Sequence, residues 1–316
     1  MRISNLNSIL QGKISHKGST YSISGLALKA KEVKPGFAFF SNDEEEINKA
    51  IQLGAYAIIS QKELKITNND IYYIQTDDFK RSLQKLLRFI SLEKNYNFLL
   101  CNKIELKLAK HFNIKILDGN IIDDFDFMIK APPNSFFVFD DEAYLLGFCA
   151  FVLKLEKIEN IKIIYNSLIC TSIFYNDLIF KNLHLPFAYA EFFASFVAFT
   201  QKHNINFNTD KKDFDFLNIF SIDQHNHIMP FASTYRAFIV VDDYTQFKYL
   251  IDKLAHINGL KIAGENTLFC DFSYNDLKEL KNFKDFRYCL LHANKDEFIK
   301  IFTKEEDHTS LFDMRD

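Results

Sequence analysis

The chain has no tryptophan and, in 316 residues, only five prolines, nine glycines and five cysteines. With so few glycines, no Gly-x-Gly-x-x-G or Gly-x-Ser-x-Gly turn is written anywhere, and HExxH is absent too. Dinucleotide-binding, serine-hydrolase and zinc-protease readings therefore lack their starting residues. Cys101, Cys149, Cys170, Cys270 and Cys289 are odd in number, far apart and set in apolar runs. That spacing excludes a disulfide framework or a CxxC metal site and predicts buried thiols in a reducing compartment. A formal net charge of -3 leaves no basic surplus to neutralise a phosphate backbone, so nucleic-acid binding is not expected. No apolar run reaches membrane-spanning length, and Met1 to Ile9 carries no apolar stretch of a secretory leader. A cytoplasmic protein without membrane insertion is the expectation.

What the chain does have is 48% hydrophobic and 25% charged residues, with 35 Phe and 14 Tyr. These proportions mark a globular protein of two or three domains, its aromatics filling ordinary core positions. Periodicity predicts strands at Thr20 to Ile23 and Phe37 to Phe40 around a Val33-Lys34-Pro35-Gly36 turn, a hairpin-like start. A helix over Glu44 to Leu53 places Ile47, Ala50 and Ile51 on one face and is closed by Gly54. Strands follow at Ala55 to Ile59 and Ile71 to Ile74. Asp77-Asp78 then opens a helix with Leu83, Leu86, Leu87 and Ile90 at helical spacing.

A polar break at Lys94 to Asn97 sets the first expected domain boundary, giving segments 1–94, 95–235 and 236–316. Strand Phe98 to Cys101, helix Glu105 to Phe112 and strand Ile114 to Leu117 make a β-α-β pattern. Ser135 to Phe139 reads as a strand, Glu142 to Leu155 as a helix, and Ile161 to Tyr165 with Ile169 to Phe180 as a hairpin or meander. Pro186 opens an aromatic helix to about His203. Beyond the polar stretch Asn204 to Asp215, Ala237 to Val241 is the clearest parallel-type strand. The helix Gln246 to Ile257 and further strand-helix alternation precede a polar tail from Thr303. The fold class is α/β.

Three stretches, in order, resemble the Mur ligase family of bacterial cell-wall synthesis, closest to its D-Ala-D-Ala-adding, MurF type. Gly25-Leu26-Ala27-Leu28-Lys29-Ala30-Lys31-Glu32-Val33-Lys34-Pro35-Gly36 is similar to the family's Gly-Val-Ser-x-Asp-Ser-Arg-x-Val turn before a Pro-Gly. Ala50 to Ile59 resembles its Ala-x-x-x-Gly-Ala-x-Ala-Val-Val run, and Asp77 to Gln84 its Asp-Thr-x-x-Ala-Leu-Gln helix start. Leu185-Pro186 and Val240-Val241-Asp242-Asp243-Tyr244 are thinner matches to the later domains. The resemblance implies a three-segment α/β architecture with a reduced central domain, a UDP-muramoyl-peptide substrate, and ATP with Mg²⁺ as the family's cofactors.

The departures bear on chemistry. In the family, a strand runs into Gly-x-x-Gly-Lys-Thr, whose amides and Lys cradle phosphates while the Thr holds Mg²⁺. Here Phe98 to Cys101 runs into Asn102-Lys103-Ile104-Glu105, with no Gly between Gly54 and Gly119, so neither ATP nor Mg²⁺ is expected. Gly12-Lys13 lies too early in the chain to replace it. The family's Asp-Ser-Arg corresponds to Lys29-Ala30-Lys31, and its His and Asn after Leu-Pro-Gly to Tyr189 and Ala190. The Asn-Ala-Asn-Pro expected after Tyr244 is missing.

Four candidate positions remain. Lys29, Ala30 and Lys31 form a loop whose two cations could attract a diphosphate, or be surface lysines. Asp140 sits where the family has a Mg²⁺-binding Glu, yet with no triphosphate to bridge it reads as a strand-end cap. Asp242-Asp243 ends a strand where an open α/β sheet builds sites, and could be a metal or base pair or a helix N-cap. His225 and His227 alternate near Asp223, and a surface loop is the simpler reading. The expectation is a degenerate, non-catalytic Mur ligase-like protein that binds a UDP-muramoyl precursor or a cell-wall partner protein. The alternatives are an active precursor enzyme that needs no P-loop, and a pure interaction protein docked on a ligase.

Overall fold

A computed structural model describes residues 1–168, 170–207, 217–231, 233–267 and 270–303. The chain forms two compact units. The first comprises Met1–Glu156 with Phe199–Phe207; the second comprises Lys157–Ala198 and the described residues after Phe207. Both are mixed α/β, and among the described residues no helix is long and apolar enough to cross a membrane.

The first unit opens with helix α1 (Ile3–Leu10), then β1 (Lys13–His16), β2 (Gly25–Ala27), β3 (Phe37–Phe40), α2 (Glu44–Gln52), β4 (Ala57–Ser60), β5 (Tyr72–Gln75) and α3 (Phe79–Glu93). The strands form one sheet of order β1-β5-β4-β3-β2, parallel except for β1. The hairpin expected at the start is thus corrected. The first strand of that pair is Gly25–Ala27, not Thr20 to Ile23, and it runs parallel to β3. Between them the chain needs a crossover, supplied by a 3-10 turn at Ala30–Glu32 and the Pro35-Gly36 bend, where Gly36 has φ +91. β4 is buried along its whole length, as a parallel strand covered on both faces should be.

A second sheet follows: β6 (Asn97–Leu100), α4 (Lys103–Ala109), β7 (Lys115–Ile116), α5 (Ile121–Lys130), β8 (Phe136–Phe139), α6 (Glu142–Leu146) and β9 (Leu153–Lys154). Its order is β7-β8-β6-β9, all parallel. The helix expected over Glu142 to Leu155 is shorter. The amides of Gly147 and Phe148 turn back to carbonyls three residues earlier, ending the coil, and Leu153 joins the edge of β6. Helices α1 and α5 were not legible in the periodicity. One apolar core runs through this unit, joining Leu6 of α1, Phe40 and Ile59 of the first sheet, Leu86 and Leu87 of α3, Phe125 of α5, and Phe98 and Phe137 of the second sheet. Phe98 stacks on Phe137 at 5.7 Å between centroids, and both are essentially fully buried, so the abundant Phe does serve packing. The break after residue 94 therefore falls between two sheets that share one core.

The second unit begins with β10 (Lys162–Asn166), β11 (Thr171–Tyr175) and β12 (Leu178–Leu183), an antiparallel meander. The run Ile169 to Phe180 is divided by a turn at Asn176 and Asp177, at φ 48 and 61, the left-handed pair a tight hairpin needs. Helix α7 (Ala190–Lys202) follows a 3-10 turn after Pro186; its residues from Phe199 group with the first unit. Then come β13 (Asn218–Ile222), β14 (Arg236–Val241), α8 (Tyr244–Leu254), β15 (Leu260–Glu265), β16 (Phe272–Tyr274), β17 (Tyr288–His292) and α9 (Lys295–Phe302). They form a sheet of order β13-β14-β17-β15-β16, parallel except for β13. Because β13 pairs with β14, a boundary at 235 and 236 falls within one sheet. Most of the polar stretch from Asn204 to Asp215, and the tail beyond Thr303, lie outside the described residues.

Candidate functional site

The Lys29–Lys31 loop lines a depression of about 510 Å³ on the α2 side of the first sheet, together with Glu46, Lys49, Gln52 and Leu53. The local fold follows from the sequence. Ala30 is buried in the core beneath α2, and its amide donates to Glu46 Oε2 at 3.2 Å. Ala30 is thus an anchor, which leaves its lysine neighbours pointing outward and exposed. Glu46 also accepts from Lys49 Nζ at 2.9 Å. The bond from Lys49, then that from Ala30, holds the Glu46 carboxyl below its ordinary pKa. Three ammonium groups and one carboxylate line the depression, so it carries a cationic surplus.

The three cations differ in freedom. Lys29 Nζ donates to Asp126 Oδ2 at 2.9 Å, and that hydrogen bond raises its pKa. Asp126 is shared, since Lys130 Nζ lies 2.7 Å from its Oδ1 and 2.6 Å from Glu32. Burial alone would raise the Asp126 pKa, but the bonds from Lys130 and Lys29 outweigh it and hold the group below the usual aspartate range. Lys31 makes no ion pair or side-chain hydrogen bond among the described residues. It is the cation most available to an incoming anion.

The end of β6 is built in the opposite sense. Asn102 caps α4 by accepting from the amides of Ile104 and Glu105, both at 2.9 Å, while Glu105 Oε2 accepts from the Asn102 amide at 2.7 Å. This reciprocal capping box uses the amides that a phosphate loop would turn toward its ligand. It also sets a carboxylate at the positive end of the helix dipole. Burial raises the Glu105 pKa, opposed by the bond from Asn102. Cys101 beside it is buried, and desolvation pushes its thiol far up, so it is no nucleophile.

The remaining candidates are distributed. Asp140 is exposed, and it is Asp141 whose side chain caps α6 by accepting from Tyr144 at 3.0 Å, so the expected strand-end cap moves by one residue. Asp243 caps α8 by accepting from Gln246 at 2.8 Å. Asp242 Oδ1 accepts from the amide of Lys295, the first residue of α9, at 2.9 Å. Each carboxylate of the pair thus serves a different helix. His225 and His227 lie in a loop around Asp223, which accepts from both their amides. Among the described residues no group of three His, Cys, Asp or Glu could hold a metal. Tyr189 and Ala190 are buried, and the Tyr189 hydroxyl accepts from Gln246 Nε2 at 2.8 Å.

Sequence reasoning missed Glu46, Lys49 and Asp126. Glu46 and Lys49 sit one helical turn apart on α2, a spacing readable in the sequence, but nothing local aims them at Lys29–Lys31. Asp126 belongs to a helix that was not anticipated. The Asn102-x-x-Glu105 cap is a legible signature that went unread.

No family model matches the chain, and no curated protein matches it. Among solved structures, the fold is similar to MurF from Acinetobacter baumannii, at 9% identity and a TM-score of 0.49, covering 95% of this chain and 87% of that one. It is similar to a MurF ligase from Thermotoga maritima solved in complex with ADP, at 11% identity and a TM-score of 0.49, covering 88% and 96%. A third is a UDP-N-acetylmuramoyl-L-alanyl-D-glutamate--2,6-diaminopimelate ligase, at 12% identity and a TM-score of 0.42, covering 93% of each chain. Likeness at this level bears on neither substrate nor chemistry.

Proposed function

We propose that the chain is a degenerate, non-catalytic Mur ligase-like protein acting in the cytoplasm in peptidoglycan precursor synthesis. In this reading it binds a UDP-muramoyl-peptide through its diphosphate at the Lys29–Lys31 depression and uses neither ATP nor Mg²⁺. The observation that carries the reading is the closed N-terminus of α4, where Asn102 and Glu105 take up the amides and add a carboxylate where phosphate would bind. Three further placements support it. Asp140 is exposed beside a neighbour that does the capping, while Asp243 caps α8 and Asp242 accepts from the first amide of α9. Lys31 offers an unengaged ammonium beside Lys49, which is ion-paired with Glu46, a placement suited to hold an anion without reacting with it.

A thermal-shift titration of the full chain, with UDP-MurNAc-tripeptide and Mg-ATP added separately, tests this, because a ligand that binds only the native state raises Tm by mass action. The expected result is a rise with the muramoyl nucleotide, lost in Lys31→Ala, and none with Mg-ATP. A rise with Mg-ATP, or ATP-dependent amide-bond formation, would overturn the non-catalytic reading. No rise with either would sink precursor binding and leave a protein partner.

A further inference from the structure

A separate groove of about 660 Å³ opens beside edge strand β2, next to Ile129 and Lys130 of α5. That is the size of a small-molecule pocket. Leu26, Phe37, Ile90 and Ile129 make its walls apolar, and it shares no lining residue with the Lys29–Lys31 depression. Lys94, just past the end of α3, forms part of the wall. Its Nζ donates to the backbone oxygens of Ile129 at 2.7 Å and Ala131 at 2.9 Å, at the end of α5. An ammonium has three donors, so one is left over.

Lys94 forms no ion pair among the described residues, whereas Lys130 in the same groove is neutralised by Glu32 and Asp126. Desolvation, and then the charge of Lys115, lower the Lys94 pKa, as for a cation held without a counter-ion. The groove therefore pairs apolar side chains with an ammonium that backbone carbonyls immobilise and no carboxylate neutralises, and Lys34 and the Met1 amino group, also without an ion pair among the described residues, add to its positive charge. Glu93, exposed on the groove's edge, offsets part of that positive charge.

We propose that this groove binds a small amphipathic monoanion, an apolar body carrying one carboxylate, with the carboxylate on Lys94 Nζ and the body against Leu26, Phe37, Ile90 and Ile129. The site is independent of the precursor-binding reading and can stand or fall without it.

Isothermal titration calorimetry of the full chain with octanoate, and with octanol as the uncharged match, tests the assignment. Octanoate should bind at one site with a Kd below about 1 mM, and more tightly than octanol. Lys94→Met should weaken octanoate by about tenfold or more while leaving octanol unchanged, since a charge-assisted hydrogen bond is lost and the apolar walls remain. Because Lys94 also holds the end of α5, Glu93→Gln provides a variant on an exposed side chain, and it should tighten octanoate a few-fold. No saturable octanoate binding at that concentration, octanol binding as tightly as octanoate, or affinity unchanged in Lys94→Met or in Glu93→Gln would overturn the proposal.

Discussion

At the C-terminal end of β6 the chain meets its own helix amides with a carboxylate, whereas at the C-terminal end of β2 it presents ammonium groups around an open depression. Both are strand ends in a parallel sheet, the usual place for a site in such folds. What differs is which groups are already used. At β6, Asn102 and Glu105 take up the amides of Asn102, Ile104 and Glu105 from within and set a carboxylate against the helix dipole. At β2 the segment enters a short 3-10 turn anchored by Ala30, and its side chains carry the available charge. Position in the fold nominates a site, and the hydrogen-bond inventory decides whether it is open.

Removing the internal cap is the hardest test of that contrast. Replacing both Asn102 and Glu105 with Ala should cost about 1 to 2 kcal/mol in chemical denaturation. It should still give no Mg-ATP-induced Tm rise, because no glycine loop or lysine is restored. Stability unchanged by the double variant would mean the cap is not what closes that end. Asp243→Ala should cost about 1 kcal/mol by losing the α8 cap. A much larger loss of ligand response than of stability in that variant would mean that its carboxylate has a second task.

A smaller effect is expected from Asp126→Asn, and it depends on pH. The folded pKa of Asp126 is lowered from 3.8, so its contribution to stability is complete above 3.8 and is lost as pH falls through the lower folded value. The Tm difference between wild type and Asp126→Asn should therefore shrink as pH is taken below 3.8, and a constant difference would point to packing instead. The smallest stability effect belongs to Lys31→Ala, within about 0.5 kcal/mol of wild type, as for an exposed side chain without partners. A destabilisation well beyond that would make Lys31 a structural residue and remove the contrast between the two strand ends.

Much of the fold was legible. Ile47 and Ala50 on α2, Leu83 to Ile90 on α3 with Asp78 as its cap, and Ala237 to Val241 as a parallel strand all follow from local periodicity and capping chemistry. The misreadings have physical causes. The segment after Glu142 is apolar enough for a long helix, but 3-10 bonds at Gly147 and Phe148 end it early and strand pairing claims Leu153. The first strand pair was read as a hairpin because a Pro-Gly bend suits one, yet the intervening 3-10 turn returns the chain in the same direction.

The candidate site divides in the same way. Composition and spacing by themselves determined an α/β protein without a phosphate-binding glycine loop, two lysines around Ala30, and a helix opened at Asp77-Asp78, because these depend on interactions between residues close in the chain. Only the tertiary structure decided that Lys29 is engaged by Asp126, 97 positions away, while Lys31 stays open. It also decided that Asp242 answers to α9 instead of to Asp243, and that Lys94 stands in a groove without a counter-ion. Those outcomes rest on which distant polar groups come within hydrogen-bond reach, a quantity set by packing and not by any local pattern.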